Sequence, residues 1–209
     1  MNKVFVIGNG TSRRDFNLNL LKTKGTVIGC NDLYKDYPVD YLIACDLPVA
    51  KEIISTGYNN SCKFYTREQT ISRLNYPAGV FVFPDLPEQG DKKFQKSDSW
   101  GSGLYATYLA CLGSYEKIIL LGFDLDGYED KTKNNMYNRK LHIPGTKTQR
   151  PVDASFWIKQ FELLFNWYPQ KEFTFIQHDN WKNPESWSTI ENFKRDNYKG
   201  LETFLEVNS

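Results

Sequence analysis

The chain has 209 residues, of which 40% are hydrophobic and 24% are charged, the composition of a globular protein with a sizeable core. A formal net charge of +1 at pH 7 gives no reason to expect a nucleic acid or a charged membrane surface as a partner. The first apolar strand is predicted within the first few residues, and no apolar run approaches the roughly 20 residues of a membrane span, so we expect neither a secretory leader nor a membrane span.

Short apolar segments alternate with helical patterns along most of the chain. The predicted strands are Val4–Ile7, Thr26–Cys30, Tyr41–Cys45, Lys63–Tyr65, Val80–Phe83, Ile118–Gly122 and Phe173–Ile176. The predicted helices are Asp15–Thr23, Pro48–Ser55, Arg67–Leu74, Ser102–Leu112 and Asp153–Tyr168. This alternation predicts an α/β fold with a single Rossmann-like, mostly parallel sheet, helices on both faces and long loops on the C-terminal rim.

The pattern also predicts how the chain is divided. Residues 1–176 are expected to form a nucleotide-binding Rossmann-like domain, and residues 177–209 a C-terminal appendage packed on it. One short helix is expected in the appendage, near Thr189–Asp196. Two long polar loops, 84–100 and 123–150, fall on the predicted rim, and loops of this length favour a role as lids over a ligand.

The cysteines are Cys30, Cys45, Cys62 and Cys111, and none forms a C-x-x-C pair. Their spacing offers no support for a zinc site or a nucleophilic Cys–His pair. We interpret them as reduced, mostly buried thiols, which predicts a cytoplasmic protein.

The last predicted long helix carries two apolar stripes. One stripe, which includes Trp157 and Phe161, is expected to cover the sheet. The other consists of Phe156, Leu163 and Trp167 and has no obvious partner within the chain. It predicts a homo-oligomer, and burial under the C-terminal tail is the alternative.

A loop of small residues, Gly8, Asn9, Gly10, Thr11 and Ser12, follows the first strand. Such a loop presents backbone N–H groups to a phosphate. Its first two glycines fit a G-x-G-x-x-G pattern, but an arginine holds the third position, and no Walker lysine follows. The loop therefore predicts a nucleotide site that is not a typical dinucleotide site.

Polar residues follow other strands on the same rim. Asn31 comes after the second strand and Asp46 after the third, and the asparagine amides are suited to phosphate, ribose or base contacts. The alternative for each asparagine is an ordinary turn residue. Ser102 and Gly103 open a helix, where Ser102 is a predicted N-cap and the helix N-terminus is a second candidate anion site.

Carboxylates and histidines offer further chemistry. Asp124 and Asp126 form an Asp-x-Asp pair that is suited to a divalent metal, with an acidic turn as the alternative. His142 and His178 are the only histidines, and either is chemically suited to act as a general base near neutral pH.

These motifs together resemble a known family. Gly-Asn-Gly-x-Ser after strand one, Cys-Asn after strand two, Ser-Gly opening a helix and Leu-Gly-Phe-Asp-Leu ending a strand are similar to blocks of the bacterial sialyltransferases typified by Campylobacter lipooligosaccharide enzymes. A related group, of domain-of-unknown-function proteins and archaeal pterin diphosphokinases, shares similar blocks. The likeness covers about residues 1–176.

The resemblance implies a CMP-sugar donor, a hydroxyl acceptor of unknown identity, inversion at the anomeric carbon, and no metal or other cofactor. It also implies roles for residues of this chain. By this likeness Asn9 and Asn31 contact the nucleotide and its phosphate, Ser102 and Gly103 lie against the donor, and Asp124 ends the later strand of the site.

The chain departs from the family pattern at several positions. Asp126 stands where one of two phosphate-binding tyrosines is expected, and Tyr128 and Tyr137 are the candidate replacements. The family's His-x-x-Gly-His segment begins here with His142, but its base position is Thr146, which cannot act as a base near neutral pH. His142 is therefore the predicted catalytic residue.

Asp46 replaces an asparagine, and its carboxylate is expected to repel a carboxylate on the donor.

Three hypotheses follow for the function. The leading one is a glycosyltransferase-like protein that transfers a sugar from a CMP-sugar-like donor to a hydroxyl acceptor. The second is metal-dependent diphosphate transfer, with Mg²⁺ held by Asp124 and Asp126. The third is a non-catalytic nucleotide-binding module that has lost its general base.

Overall fold

The computed structural model describes residues 2–87, 90–125, 136–137 and 154–207. Eight strands of this part of the chain form one sheet in the order β5-β4-β3-β2-β1-β6-β7-β8. They are β1 Lys3–Ile7, β2 Thr26–Cys30, β3 Tyr41–Ile43, β4 Lys63–Thr66, β5 Val80–Val82, β6 Lys117–Leu121, β7 Glu172–Ile176 and β8 Phe193–Asp196. Every neighbouring pair is parallel, which confirms the predicted α/β, Rossmann-like class.

The strand order reverses at β1. Val6 lies opposite Ile28 of β2 on one side and opposite Leu120 of β6 on the other. The chain winds outward from β1 to β5 in one direction, and from β6 to β8 in the other. A crevice forms at the carboxyl ends of the strands at such a reversal, because the loops on its two sides turn away from each other.

Helices cover both faces of the sheet. They are α1 Leu47–Ser55, α2 Glu68–Ser72, α3 Ser102–Leu112, α4 Ala154–Trp167 and α5 Tyr198–Val207. Because strand side chains alternate between faces, β1 contributes to two cores. Val4 and Val6 of β1 pack with residues of α3 and α4 in one hydrophobic core. Phe5 and Ile7 of β1 pack with residues of α1 and α5 in the other core.

All seven predicted strands are present, and the helix predicted over Ser102–Leu112 is confirmed at both ends. The helix predicted over Asp15–Thr23 is wrong: a short 3₁₀ helix, Leu18–Leu21, lies there instead. Its N-cap is Asn17, whose side chain accepts a hydrogen bond from the Asn19 N–H at 3.1 Å. Asparagine side chains bind nearby backbone in this way and compete with a continuous α-helix.

The helix predicted near Thr189–Asp196 is also wrong, because β8 occupies Phe193–Asp196. Only Phe193 of this strand is buried, and Lys194, Arg195 and Asp196 are exposed. The strand therefore lacks an apolar run, and pairing with β7 determines its conformation. β8 lies after residue 176 and extends the same sheet as β1.

The second stripe of α4 has partners within the chain. The Trp167 ring stacks on Trp100 with centroids 5.8 Å apart, and Phe156 packs on Phe94 at 4.9 Å. The segment that precedes α3 therefore covers this stripe. The homo-oligomer remains a prediction, but the uncovered stripe on which it was based is not observed.

No helix in the described ranges combines the length and apolar character that a membrane crossing requires.

Candidate functional site

A cavity of about 280 Å³ opens at the carboxyl ends of the strands, over the point where the strand order reverses. The loops after β1, β2, β3, β4 and β6 line it, together with the N-terminus of α3 and one face of α4. A cavity at this place in a parallel sheet is the usual ligand site of such folds.

The loop after β1 forms one wall. Its Gly8 and Gly10 N–H groups donate to the carbonyls of Leu121 and Gly122, at 2.8 and 2.9 Å. A Cβ atom on Gly10 would lie 2.4 Å from Asp124 Oδ1, and one on Gly8 would lie 2.5 Å from the Gly122 carbonyl oxygen. Both glycines are therefore required by the close approach of this loop to the end of β6.

Asp124 holds this loop in place. Its Oδ2 accepts hydrogen bonds from the Ser12 N–H at 3.0 Å and the Thr11 hydroxyl at 3.3 Å. The Ser12 hydroxyl also lies 3.1 Å from the hydroxyl of Tyr198 in α5. Gly8, Asn9 and Gly10 line the cavity with Asp124, whereas Thr11 and Ser12 are not among its lining residues.

The Asn9 side chain is the most informative polar group in the wall. Its amide nitrogen and oxygen are both buried, and neither has a hydrogen-bond partner in the described part of the chain. A buried amide without partners costs free energy, on the order of 1–3 kcal/mol. Because Asn9 lines the cavity, this unmet capacity to donate and to accept points to a ligand at this position.

A hydrogen-bonded chain joins three elements at the centre of the site. The Ser102 hydroxyl donates to Asn31 Oδ1 at 2.8 Å and accepts from the Cys45 N–H at 3.0 Å. Asn31 adopts a left-handed conformation with φ of 50°, as the turn interpretation expected, and it also lines the cavity. Asn31 and Ser102 are thus brought together from β2 and α3, beside the loop after β3.

The N-terminus of α3 faces the cavity. Gly101, Ser102, Gly103 and Leu104 all line it, so N–H groups of the first turn and the positive end of the helix dipole are available to an anion. The predicted N-cap is wrong: Gly101 is the N-cap, and Ser102 is the first helical residue. A Cβ on Gly103 would lie 2.8 Å from the Phe123 ring, which explains the glycine there.

Burial raises the pKa of the two thiols in the wall. The Cys45 thiol is raised to about 11, chiefly by desolvation, although Arg67 and Ser102 act in the opposite direction. Desolvation raises the Cys30 pKa still further. Both cysteines therefore remain neutral thiols at physiological pH, and both are buried, as expected from the sequence.

Arg67 and Asp46 form a charged end of the cavity. Arg67 follows β4 directly, and it was not among the predicted site residues, although it stands in the same position after its strand as Asn31. That position was the signal that could have identified it. Asp46 is exposed and is the N-cap of α1 without a side-chain capping bond.

The opposite end of the cavity is apolar. It is lined by Phe123 and Leu125 after β6 and by Trp157 and Phe161 of α4. The Phe123 and Phe161 rings meet edge to face, with centroids 5.8 Å apart. Both predicted helix-face residues, Trp157 and Phe161, therefore contribute to the site as well as to the core.

Tyr137, a candidate for the leaving phosphate, is engaged elsewhere. Its hydroxyl donates to Asp36 and accepts from Arg13 Nη2 at 3.1 Å, and it does not line the cavity. Burial raises its pKa to about 12, with the hydrogen bond to Asp36 acting in the same direction.

The remaining predicted residues fall outside the described residues: Asp126, Tyr128, His142 and Thr146. His178 is described, and its ring lies 5.7 Å from that of Tyr198; it is not among the lining residues. Among the described residues, no group of three or more His, Cys, Asp or Glu side chains is arranged to hold a metal ion.

Comparison with known proteins gives a structural likeness. Neither protein-family models nor curated proteins match the sequence. The monofunctional α-2,3-sialyltransferase Cst-I from Campylobacter jejuni is 15% identical, with all of this chain and 94% of Cst-I covered and a TM-score of 0.59. The sialyltransferase Cst-II in complex with CMP is 17% identical, with 84% of this chain and 81% of that one covered and a TM-score of 0.52.

A second structure of Cst-II, in complex with a trisaccharide acceptor and CMP, is 15% identical over 90% of this chain and 85% of that one, with a TM-score of 0.54. At these identities the likeness establishes the fold. The chain has a sialyltransferase-like fold, as the sequence motifs predicted.

Proposed function

We propose that this chain binds a CMP-sugar in the cavity and transfers the sugar to a hydroxyl group of an acceptor. The observation that carries the proposal is the buried Asn9 amide, which has no partner among the described residues and belongs to a residue that lines a cavity at the reversal of the strand order. The likeness to sialyltransferases solved with CMP favours a cytidine nucleotide over other nucleotides.

The lining residues suggest how the donor lies. Asn9 and the N-terminus of α3 would bind the phosphate, because both line the cavity and both offer N–H donors. The apolar end with Phe123 and Trp157 suits a nucleobase, which leaves the sugar toward the charged end. N–H groups aimed at the phosphate would also stabilise the negative charge that it gains as the leaving group.

His142 remains the proposed general base. It would take the proton of the acceptor hydroxyl as the oxygen attacks the anomeric carbon. The proposal is supported by the sequence likeness and by the chemistry of imidazole.

The chain offers a matched control for this role, because it has only two histidines. We expect His142→Gln to reduce CMP release from CMP-sialic acid with an acceptor oligosaccharide by about 100-fold, within the usual range for loss of a general base. The His178→Gln variant should keep wild-type turnover, since His178 does not line the cavity. Equal turnover by both variants would contradict the assignment.

The same assay separates the alternative functions. A non-catalytic module would bind CMP but release none from the donor with any acceptor. Diphosphate transfer from ATP that requires Mg²⁺ would support the second hypothesis. In that case Asp124 would have to serve a metal in addition to holding Thr11 and Ser12.

A further inference from the structure

The segment that follows β7 contacts the wall of the cavity with residues that do not line it. Gln177 is buried, and its side-chain amide donates to the Phe123 carbonyl oxygen at 2.7 Å. The Trp181 indole N–H donates to the Asp124 carbonyl oxygen at 3.3 Å. Because both acceptors belong to the loop after β6 that lines the cavity, the last part of the chain supports this loop.

Tyr198, the first residue of α5, contacts two loops of the wall at once. Its hydroxyl lies 3.1 Å from the hydroxyl of Ser12, which is buried. The Gly122 N–H also forms a hydrogen bond with the Tyr198 hydroxyl. Since Ser12 follows β1 and Gly122 follows β6, this one phenol joins the loops on the two sides of the strands at which the sheet reverses.

The Tyr198 side chain is held in this position and keeps its proton. Its ring packs against that of Phe16, with centroids 5.5 Å apart. Burial raises the pKa of Tyr198 well above its usual value, and the Asp124 carboxylate acts in the same direction. The hydrogen bonds with Ser12 and Gly122 act in the opposite direction. The phenol is therefore protonated at physiological pH, and its proton is available to Ser12.

The loop that Tyr198 contacts carries the amide assigned to the nucleotide. Asn9 belongs to the same short loop as Ser12, and its amide is buried without a partner among the described residues. The Gly10 N–H donates to the Gly122 carbonyl oxygen at 2.9 Å, so the main chain around Asn9 is tied to Gly122 as well. A shift of Ser12 or Gly122 would therefore move Asn9 away from the N-terminus of α3.

We propose that Tyr198 is a positioning residue for the nucleotide, because its hydroxyl fixes the loops after β1 and β6 at the spacing that the nucleotide requires. This role rests on the proposed function, since it requires a nucleotide at Asn9. Tyr198 does not line the cavity, so it acts through Ser12 and Gly122 rather than by contact with the ligand. The role extends the site beyond residues 1–176, which carry the sequence motifs.

The chain offers a matched control at the opposite end of the sheet. The Tyr115 hydroxyl donates to the Thr26 hydroxyl at 3.1 Å, where β2 begins. Tyr198→Phe and Tyr115→Phe each remove one phenol hydroxyl and keep the ring, so each should lower the melting temperature by about 2–4 °C. Only Tyr198→Phe should weaken CMP binding, by about 3- to 10-fold in calorimetry.

A double-mutant cycle tests whether Tyr198 acts through Ser12. Ser12→Ala should also weaken CMP binding, because it removes the same hydrogen bond from the other side. The variant with both changes should lose less CMP affinity than the product of the two single losses. Losses that multiply in the double variant would mean that the two residues act independently, which contradicts the link.

Other results would overturn the inference. Wild-type CMP affinity in Tyr198→Phe, whatever its melting temperature, would leave Tyr198 with a structural role only. An equal loss of CMP affinity in Tyr115→Phe would mean that any lost hydroxyl weakens binding through general destabilisation. Failure of the wild-type protein to bind CMP would instead contradict the proposed function itself.

Discussion

At the scale of single residues, the site is distinguished by polar groups that are positioned but not satisfied. Asn9 and Arg67 both have buried nitrogen atoms without partners among the described residues, and both line one cavity. Ser102 and the Oδ2 atom of Asp124 have bonds that hold the wall together, whereas Asp124 Oδ1 is also buried without a partner among the described residues. The first pair is suited to contact the ligand, and the second pair to support its contacts.

Replacement of Asn9 by alanine should separate ligand binding from stability. The variant loses donor and acceptor contacts to the nucleotide, so CMP affinity should fall by about 10-fold. It also removes a buried, unpaired amide, so the free energy of unfolding without ligand should rise by about 1 kcal/mol. Calorimetry and urea unfolding measure the two quantities.

Asn192→Ala is the matched control for that variant. The Asn192 amide donates to the carbonyls of Phe165 and Tyr168, at 3.1 and 3.2 Å, so its loss should lower the free energy of unfolding and leave CMP affinity unchanged. If Asn9→Ala destabilises the protein as Asn192→Ala does, Asn9 has a structural partner and the argument for a ligand there is lost.

Asp124 should act through the shape of the first loop. Asp124→Ala removes both hydrogen bonds to Thr11 and Ser12, and we expect a loss of about 2–3 kcal/mol in the free energy of unfolding. Asp124→Asn keeps an oxygen acceptor, so its free energy of unfolding should fall by less than about 1 kcal/mol. Equal losses in the two variants would mean that the negative charge, rather than the hydrogen bonds, holds the loop.

At the scale of secondary structure, the sequence predicts the elements that are apolar and misses those that tertiary pairing determines. β1, β2 and β6 are buried on both faces, so their apolar runs were visible in the sequence. β8 is exposed over three of its four residues, and its polar sequence reads equally well as a helix or a loop. Its conformation depends on its pairing with β7, which is not a local signal.

The same distinction applies to the site. Asn31 and Ser102 were predicted because they border clear strands and helices, and their mutual hydrogen bond confirms that the two loops meet. The N-cap was assigned one residue late, since serine is favoured at that position but here binds Asn31 and Cys45 instead. Arg67 was missed because it was placed inside a predicted helix, whereas α2 begins at Glu68.

Ser102 links three elements, and its loss should loosen their arrangement. Ser102→Ala removes two hydrogen bonds and should lower the free energy of unfolding by about 1–2 kcal/mol. CMP affinity should fall as well, because Asn31 loses the partner that orients its amide. Thr107→Ala is the control: its hydroxyl donates to the Gly103 carbonyl oxygen within α3, so CMP affinity should remain unchanged. Unchanged CMP affinity in Ser102→Ala would contradict the linking role.

At the scale of the whole molecule, the oligomer was predicted from an apolar stripe on α4 that has no obvious partner in the sequence. In the structure, the segment that precedes α3 covers this stripe. Trp167→Ala should lower the free energy of unfolding by about 2 kcal/mol, because the ring leaves its stacked partner Trp100. It should not change the molar mass measured by light scattering. A drop in mass for Trp167→Ala, but not for Leu112→Ala at an exposed site, would restore the stripe as a subunit interface.

The three hypotheses for the whole protein also differ in their response to chelation. Sugar transfer from a CMP-sugar, as the family likeness implies, should proceed at the same rate with EDTA as with Mg²⁺. Diphosphate transfer would stop in EDTA. The measurement is CMP release from the donor with each addition, and a rate that requires Mg²⁺ would contradict the leading hypothesis.

The cavity over Gly8, Asn9 and Gly10 is expected to bind a cytidine nucleotide, and calorimetric titration of the wild-type protein with CMP is the decisive measurement. We expect one CMP to bind per chain, and the free energy of unfolding to rise by about 2.7 kcal/mol when free CMP is 100 times its dissociation constant. No heat of binding and no change in melting temperature with CMP would contradict it.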